Sequence, residues 1–495
     1  LITRWPWSPL KPGDANKLNL PKNKMPMKFL PLIVASCASF VLVGCATQQP
    51  PAAAAAFTLP EGWQAPLPHQ GDVGSLAQWW QRQGDPVLVE LIDAAQTVSP
   101  SIAQSLSRIE TSRASRVASD AALGPRLDAS LSASRGVTQP GVPLATSVQG
   151  GLQASWEVDL FGANRSASNA AQAQFEGSQA QWHDARVSIA AEVANLYYSL
   201  RTCHQLLAVT QADAQSRRET ARLSDISAKA GFTAPAVAAL ARASAAESNS
   251  RVTQQQAQCD LDTKAMVALT AVPEPDLRRK LASALARPSQ AAPVSIANVP
   301  AQTVAQRPDV FAAEREVAAA SAQVGAAQAQ RYPRLSLSGS IGALRYTTGG
   351  VSSDLTTWSI GPVALSLPLF DGGQRAANVD AAKARYVEAA ALYNSKVRQA
   401  VREVEEALVN LQSTDARRLD SETSTLGYNE SLAATQARYT NGMASLVELE
   451  DARRTALAAQ SAQVSLQLER NRAWVSLYRA LGGGWTPDAP TLNTQ

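Results

Sequence analysis

The sequence predicts an α+β membrane protein in which one unit is written twice: a pair of amphipathic strands followed by a very long helical hairpin. Three observations carry this. Leu160-Phe161-Gly162 and Leu369-Phe370-Asp371-Gly372-Gly373 each open a proline-free run ending on glycine. Gly162 to Gly231 and Gly373 to Gly442 are both steps of 69 residues, offset by 211. Pro125-Arg126-Leu127 recurs as Pro333-Arg334-Leu335 at an offset of 208. A repeat this long is a domain made twice, not a short solenoid unit. Just upstream of each run the apolar period changes from 3.6 to 2, and four such strands are too few to close a barrel within one chain.

The N-terminus reads as a targeting segment, so residues 1–44 are set aside from the fold. Residues 1–28 hold six basic residues against Asp14, an apolar stretch runs from Phe29 to Leu42, and Leu42-Val43-Gly44-Cys45 closes it. The stretch is short for a membrane span. Met25 or Met27 would make an ordinary start, which marks residues 1–24 as upstream translation. Residues 1–28 carry a net +5 and residues 29–44 no charge, so the chain's +4 becomes −1 after cleavage. The basic balance therefore belongs to the leader, and no nucleic-acid partner follows from it. Residues 45–84 form an N-terminal segment: a Pro/Ala-rich tether through Ala56, then irregular chain with Trp63, Trp79 and Trp80.

The first repeat spans residues 85–271. Asp85-Pro86 opens a helix, with Val87, Leu88, Leu91, Ile92 and Ala95 at helical spacing, and a break falls near Ser99-Pro100. Gly124-Pro125 stops it. Two strands follow, about 126–137 and 147–160. Leu127, Ala129, Leu131 and Ala133 alternate with polar residues in the first, as do Leu152, Ala154 and Trp156 in the second. The second repeat spans 307–481, with strands about 334–346 and 357–369 and a Gly/Ser-rich loop expected over 347–356. Its alternation slips at Gly361-Pro362, the mark of a bulge. Strands of about ten residues with one apolar and one Ser/Gln-rich face suit a transmembrane barrel with a wet lumen. Closure then needs several chains.

The helical hairpins run about 163–269 and 374–481, turning at Gly231 and Gly442. A helix of 68 residues extends roughly 100 Å, far beyond a compact domain. Residues 272–306 are a Pro/Ala-rich connector that can hold short helices, and 482–495 form a polar tail. Cys203 and Cys259 lie 28 residues to either side of Gly231, so an antiparallel hairpin turning there brings them face to face. In an oxidising compartment they form a disulfide; the alternative is two buried free thiols.

Leu42-Val43-Gly44-Cys45 resembles a bacterial lipobox, which implies cleavage before Cys45 and a covalent lipid on it; no cofactor is expected. With Arg307-Pro308-Asp309-Val310, Tyr332-Pro333-Arg334-Leu335, Leu367-Pro368-Leu369-Phe370-Asp371-Gly372-Gly373, Tyr439-Thr440-Asn441-Gly442, Leu449-Glu450-Asp451-Ala452-Arg453 and Leu481-Gly482-Gly483-Gly484-Trp485, the chain resembles the TolC superfamily, in particular the lipidated OprM-like, NodT-type outer-membrane factors. The resemblance covers nearly the whole mature chain in order. It implies a homotrimer with one twelve-stranded barrel in the outer membrane, continued by a periplasmic α-helical barrel, with 272–306 in its equatorial region. It further implies a passive exit channel of a tripartite efflux pump. The partners would be a periplasmic adaptor and an inner-membrane pump of resistance-nodulation-division type.

The same resemblance carries a channel gate onto Val447 as an apolar constriction, Asp451 as a carboxylate ring and Glu448 as a second acid. Their spacings of three and four place them on one helix face. The first repeat has Ala236, Val237 and Leu240 at the equivalent positions, 211 earlier, so any acidic gate belongs to the second hairpin alone. The competing reading is that Glu448 and Asp451 form surface pairs with Arg438, Arg453 or Arg454.

No catalytic constellation is visible. His69, His183 and His204 are scattered without a Cys or carboxylate at metal spacing, and Gly482-Gly483-Gly484 follows a helix rather than opening one. A protein-secretion or metal-efflux channel is the alternative within the class. Outside it stand a trimeric coiled-coil adhesin or stalk and a periplasmic adaptor, neither of which needs two barrel hairpins.

Overall fold

A computed structural model describes residues 79–82, 84–137, 143–285 and 307–485, with Pro50 and Val304 as single positions. The lipobox with Cys45, most of the tether, residues 286–303 and the end of the tail lie outside the described residues.

The chain enters through a helical turn, α1 (Trp79–Arg82), so Trp79 and Trp80 are helical and not in irregular chain. Asp85 then caps α2 (Pro86–Val98), its carboxylate accepting from the Val87 and Leu88 amides at 3.2 and 3.4 Å. Ser99 ends α2 and caps α3 (Pro100–Ala121) through the Ile102 amide. This is the break expected at Ser99-Pro100: proline suits the first helical turn but cannot continue the helix before it.

Strands β1 (Arg126–Gly136) and β2 (Ala145–Val158) follow, then the 67-residue α4 (Ala163–Lys229) and its return, α5 (Pro235–Thr270). The connector contributes α6 (Glu274–Leu285). The second unit repeats the order: α7 (Pro308–Ala329), β3 (Arg334–Thr348), β4 (Val351–Ser366), the 67-residue α8 (Gln374–Thr440) and α9 (Leu446–Ala480). Each long helix opens behind an aspartate that supplies acceptors to its first amides. Asp159 takes those of Asn164 and Arg165 at 3.1 and 2.8 Å, and Asp371 those of Gly373 and Arg375 at 3.0 and 3.2 Å. Each ends on a glycine with positive φ, Gly231 at 77° and Gly442 at 73°, a conformation only glycine adopts without strain.

The four strands form one antiparallel sheet in the order β1-β2-β3-β4, so β2 against β3 stitches the two repeats together. One expectation is corrected. Residues 347–356 are not a loop: β3 and β4 join through a two-residue turn at Gly349-Gly350, and Val351–Thr357 are strand. The slip at Gly361-Pro362 is real, with the register shifting between Leu337 and Gly339. Both outer edges, on β1 and β4, lack partners among the described residues. Leu131 and Ile360 are 82% and 92% exposed on one face. An open sheet with an uncovered apolar face is unfinished as a monomer.

The main core lies where α1, α2, α4, α5, α6, α8 and α9 meet. Trp79, Leu88, Leu91, Tyr197, Leu408 and Leu477 are nearly inaccessible there. Trp79 packs against Trp474 and Tyr478 with ring centroids 5.9 and 5.7 Å apart. Asp85 is held by the Tyr197 hydroxyl and by Arg201, whose guanidinium also donates to the Ala284 carbonyl. Toward the sheet, alanines carry the contact: Ala170 and Ala173 of α4 meet Ala319 and Ala322 of α7. No described helix is long and apolar enough to cross a membrane.

Candidate functional site

The chemistry-bearing side chains gather near the two hairpin turns, on the end of the helices away from the sheet. Ser445 caps α9, and the cap is reciprocal. Its hydroxyl accepts from the Glu448 amide at 3.1 Å, while the Glu448 carboxylate accepts from the Ser445 amide at 2.7 Å. That arrangement satisfies two otherwise unpaired helix-end donors. The first hairpin has Ala234 at this position and no side-chain cap.

Val447 is 65% exposed, and Asp451 is exposed and ion-paired with Arg454 one turn on. The structure thus brings Val447, Glu448 and Asp451 to one rim of a groove between α5 and α9, of about 610 Å³, with Arg217, Glu247 and Arg251 on its other walls. Of the three arginines considered as surface partners, only Arg454 pairs with these acids. Arg438 donates to the Met443 carbonyl, and Arg453 is buried, 3% exposed.

Behind this rim lies a polar network that the local sequence does not announce. Glu450 accepts from Ser244 at 2.8 Å, from Arg453 at 2.9 Å and from Arg217. Arg217 also holds both oxygens of Asp213 at 2.9 Å. Arg453 donates to Ser216, Thr220 and Gln436 at 2.9, 2.7 and 2.9 Å. Two arginines and two carboxylates balance in charge, and the group ties α4 and α5 of the first repeat to α8 and α9 of the second. Leu446 and Leu449 pack beside it against Ala241 and Ala245. A signal was present: Leu446, Leu449, Arg453 and Ala456 form an i, i+3, i+7, i+10 stripe, which puts Arg453 on the inward face.

Farther along the first hairpin, the Cys203 and Cys259 sulfurs are bonded across α4 and α5, with Cα atoms 5.6 Å apart, beside Leu207 and Val252. The second repeat has Thr414 and Arg470 at the equivalent places. Cys45 lies outside the described residues. Among those described, no group of three or more metal-ligating side chains occurs.

The duplicated hairpins, the open sheet and the long helices have a counterpart in known proteins. A family model described as outer membrane efflux protein matches residues 91–272 and 299–483. The chain belongs to the outer membrane efflux protein family. This efflux protein is 31% identical to outer membrane protein OprJ of Pseudomonas aeruginosa over 468 residues, 90% of this chain and 94% of OprJ. It is 30% identical over 481 residues to the solvent efflux pump outer membrane protein SrpC of Pseudomonas putida, covering 93% and 99% of the two chains. Its fold matches the open-state crystal structure of the MtrE outer membrane channel of Neisseria gonorrhoeae with a TM-score of 0.70 and 26% identity, over 90% of this chain and all of that one. The efflux protein therefore has the TolC-like architecture and is an outer-membrane component of an efflux pump, as the family resemblance implied.

Proposed function

We propose that three copies of this chain assemble into one passive duct, through which drugs or other small molecules leave an inner-membrane pump for the exterior. The observation that carries this is the unfinished sheet. Its two free edges and exposed apolar face are completed by neighbouring copies and by lipid, and its strands run directly into helices of roughly 100 Å. Twelve strands, four from each chain, make the barrel. A lipid on Cys45 tethers each chain to the same membrane. A periplasmic adaptor and a pump of the resistance-nodulation-division type complete the assembly, and the pump chooses the cargo. SrpC serves a solvent efflux pump, and apolar small molecules of that kind are the first cargo to try.

The periplasmic end is the gate. Val447 narrows the axis, and the acids at 451 and 448, three of each, surround it. Like charges so placed repel and bind cations. The Asp451–Arg454 pair and the Glu448 cap hold both acids on the tip in defined positions.

Planar-bilayer recording of the purified trimer tests this. Asp451→Ala is expected to change closed-state leak or divalent-cation block; unchanged leak and block would remove Asp451 from the gate. A chain that restores drug tolerance to cells lacking their own outer-membrane channel, and runs as a heat-modifiable trimer, carries the duct reading. A monomer soluble without detergent would end it.

A further inference from the structure

The sheet register sorts the strand residues onto two faces. Leu131, Leu152, Ile341 and Trp358 share one with Val363 and Leu365; Ser132, Gln153, Ser340 and Ser359 share the other. In the barrel the apolar face meets lipid. Along β3 it stays apolar from Leu335 through Ala343, eight residue steps or roughly 27 Å of strand, which at a tilt of about 35–45° rises roughly 20 Å, most of the apolar belt of about 25 Å in outer-membrane barrels.

Past Ala343, toward the Gly349-Gly350 turn, the lipid-facing side changes. Arg345 comes next, with Nε and Nη2 on the two oxygens of Asp354 at 2.7 Å. One pair-step farther stand Thr347 and Ser352, bonded at 2.9 Å. On the first hairpin Arg135 occupies that same level, opposite Thr146, exposed and without a partner among the described residues. These are the two basic residues of the lipid-facing side among the described strand residues, and both sit at the rim away from the helices. The arginines at the helix end, Arg126 and Arg334, belong to the lumen face. The helix-end rim presents Trp156 instead, its indole donating to the Leu123 carbonyl at 3.0 Å.

We infer that Arg135 and Arg345 form a rim that binds phosphate-bearing headgroups of outer-leaflet lipids, a reading that rests on the sheet being part of an outer-membrane barrel. An arginine facing lipid costs about 2–4 kcal/mol at the membrane midplane but only about 0–1 at the interface, so these positions mark headgroup level. The guanidinium fork matches phosphate oxygens. Asp354 occupies one edge of Arg345 and leaves Nη1 for a phosphate oxygen. The two arginines lie two strands and one pair-step apart, roughly 12 Å between Cα atoms, within reach of one bisphosphorylated headgroup or two neighbouring ones. With Asp354 counted, each chain presents a net charge of +1 there.

The test uses the purified, heat-modifiable trimer in phosphatidylcholine nanodiscs doped with diphosphoryl lipid A, reading retained lipid copies by native mass spectrometry. Arg135→Gln with Arg345→Gln should lower retention about tenfold, the loss of roughly one charge-assisted contact per site. Asp354→Asn should raise it by freeing Arg345, and Arg126→Gln on the lumen face should leave it unchanged. Equal retention by wild type and double variant overturns the proposal. So does a drop with Asp354→Asn, or displacement by inorganic phosphate at matched phosphorus concentration. A chain that never forms the heat-modifiable trimer overturns the barrel reading itself, and this one with it.

Discussion

Glu450 and Asp451 are neighbours in sequence and opposites in energetics. The Asp451–Arg454 pair is solvent-exposed and worth at most about 1 kcal/mol. Glu450 bridges two arginines whose side chains are 8% and 2% exposed, and only with Asp213 does the network balance their charge. Removing one partner of a buried pair leaves an uncompensated charge, at a cost of about 3–5 kcal/mol. Glu450→Ala should therefore lower the thermal midpoint of the trimer by several degrees and open the Gly231 turn to protease. Asp451→Ala should shift neither. Equal melting curves for the two variants would show that the network is not a structural clasp. Glu448, expected as a gate acid or a surface pair, closes a capping box with Ser445. The burial of Glu450 was not legible in the sequence, because its partners Arg217 and Ser244 lie more than two hundred residues away. His183 sits between Trp182 and Trp485, and burial, with Arg186 adding, lowers its pKa to about 4. Its unfolded value is near 6.5, so between pH 6.5 and 4 the unfolded chain binds a proton that the folded one refuses. The contribution is complete above pH 6.5 and is lost as pH falls toward 4. Thermal scans from pH 7.5 to 4.5 should show a shallower loss for His183→Phe than for wild type; parallel curves would remove the claim.

At the scale of elements, the two hairpins share a geometry and differ in fastening. The first is crossed by the Cys203–Cys259 bond, separated by 56 residues. Closing a loop of that length constrains the unfolded chain by roughly 4 kcal/mol on the chain-entropy model. The Cys203→Ala, Cys259→Ala pair should unfold at lower temperature than wild type, and reductant should affect wild type alone. Insensitivity of wild type to reductant would mean that the thiols are free in the cell-derived protein. The placement was readable because both cysteines are equidistant from a turn that glycine announces. The tip of β3–β4 was not. Above the membrane belt, Thr347, Ser352 and Ser353 are polar on both faces, so the period-2 signal vanishes and strand looks like loop. Gly483, φ +64°, belongs to the stretch expected as a polar tail, yet a Cβ there would lie 2.5 Å from a Val187 methyl. Gly483→Ala should destabilise the main core by about 1–3 kcal/mol.

For the whole molecule, the two faces of the sheet decide where the protein can reside. Ile360 faces lipid near mid-belt, and Ser359, one residue earlier, faces the lumen. Ile360→Arg places a charge in hydrocarbon in every chain, at about 2–4 kcal/mol each. It should abolish the heat-modifiable trimer in the outer-membrane fraction, whereas Ser359→Arg should leave trimer yield intact and narrow the conductance. Equal yields from both would refute the assignment of faces. Alone, the sequence determined the duplicated plan, the strand and helix periods, the glycine turns and the cysteine pair, because each is written in spacing along a single stretch of chain. Only the tertiary structure decided which charges on the tip are buried. It also decided that β2 pairs with β3 across the repeats, and that Arg135 and Arg345 share one rim. Those relations join residues far apart in the chain, and packing geometry, not local period, brings them together.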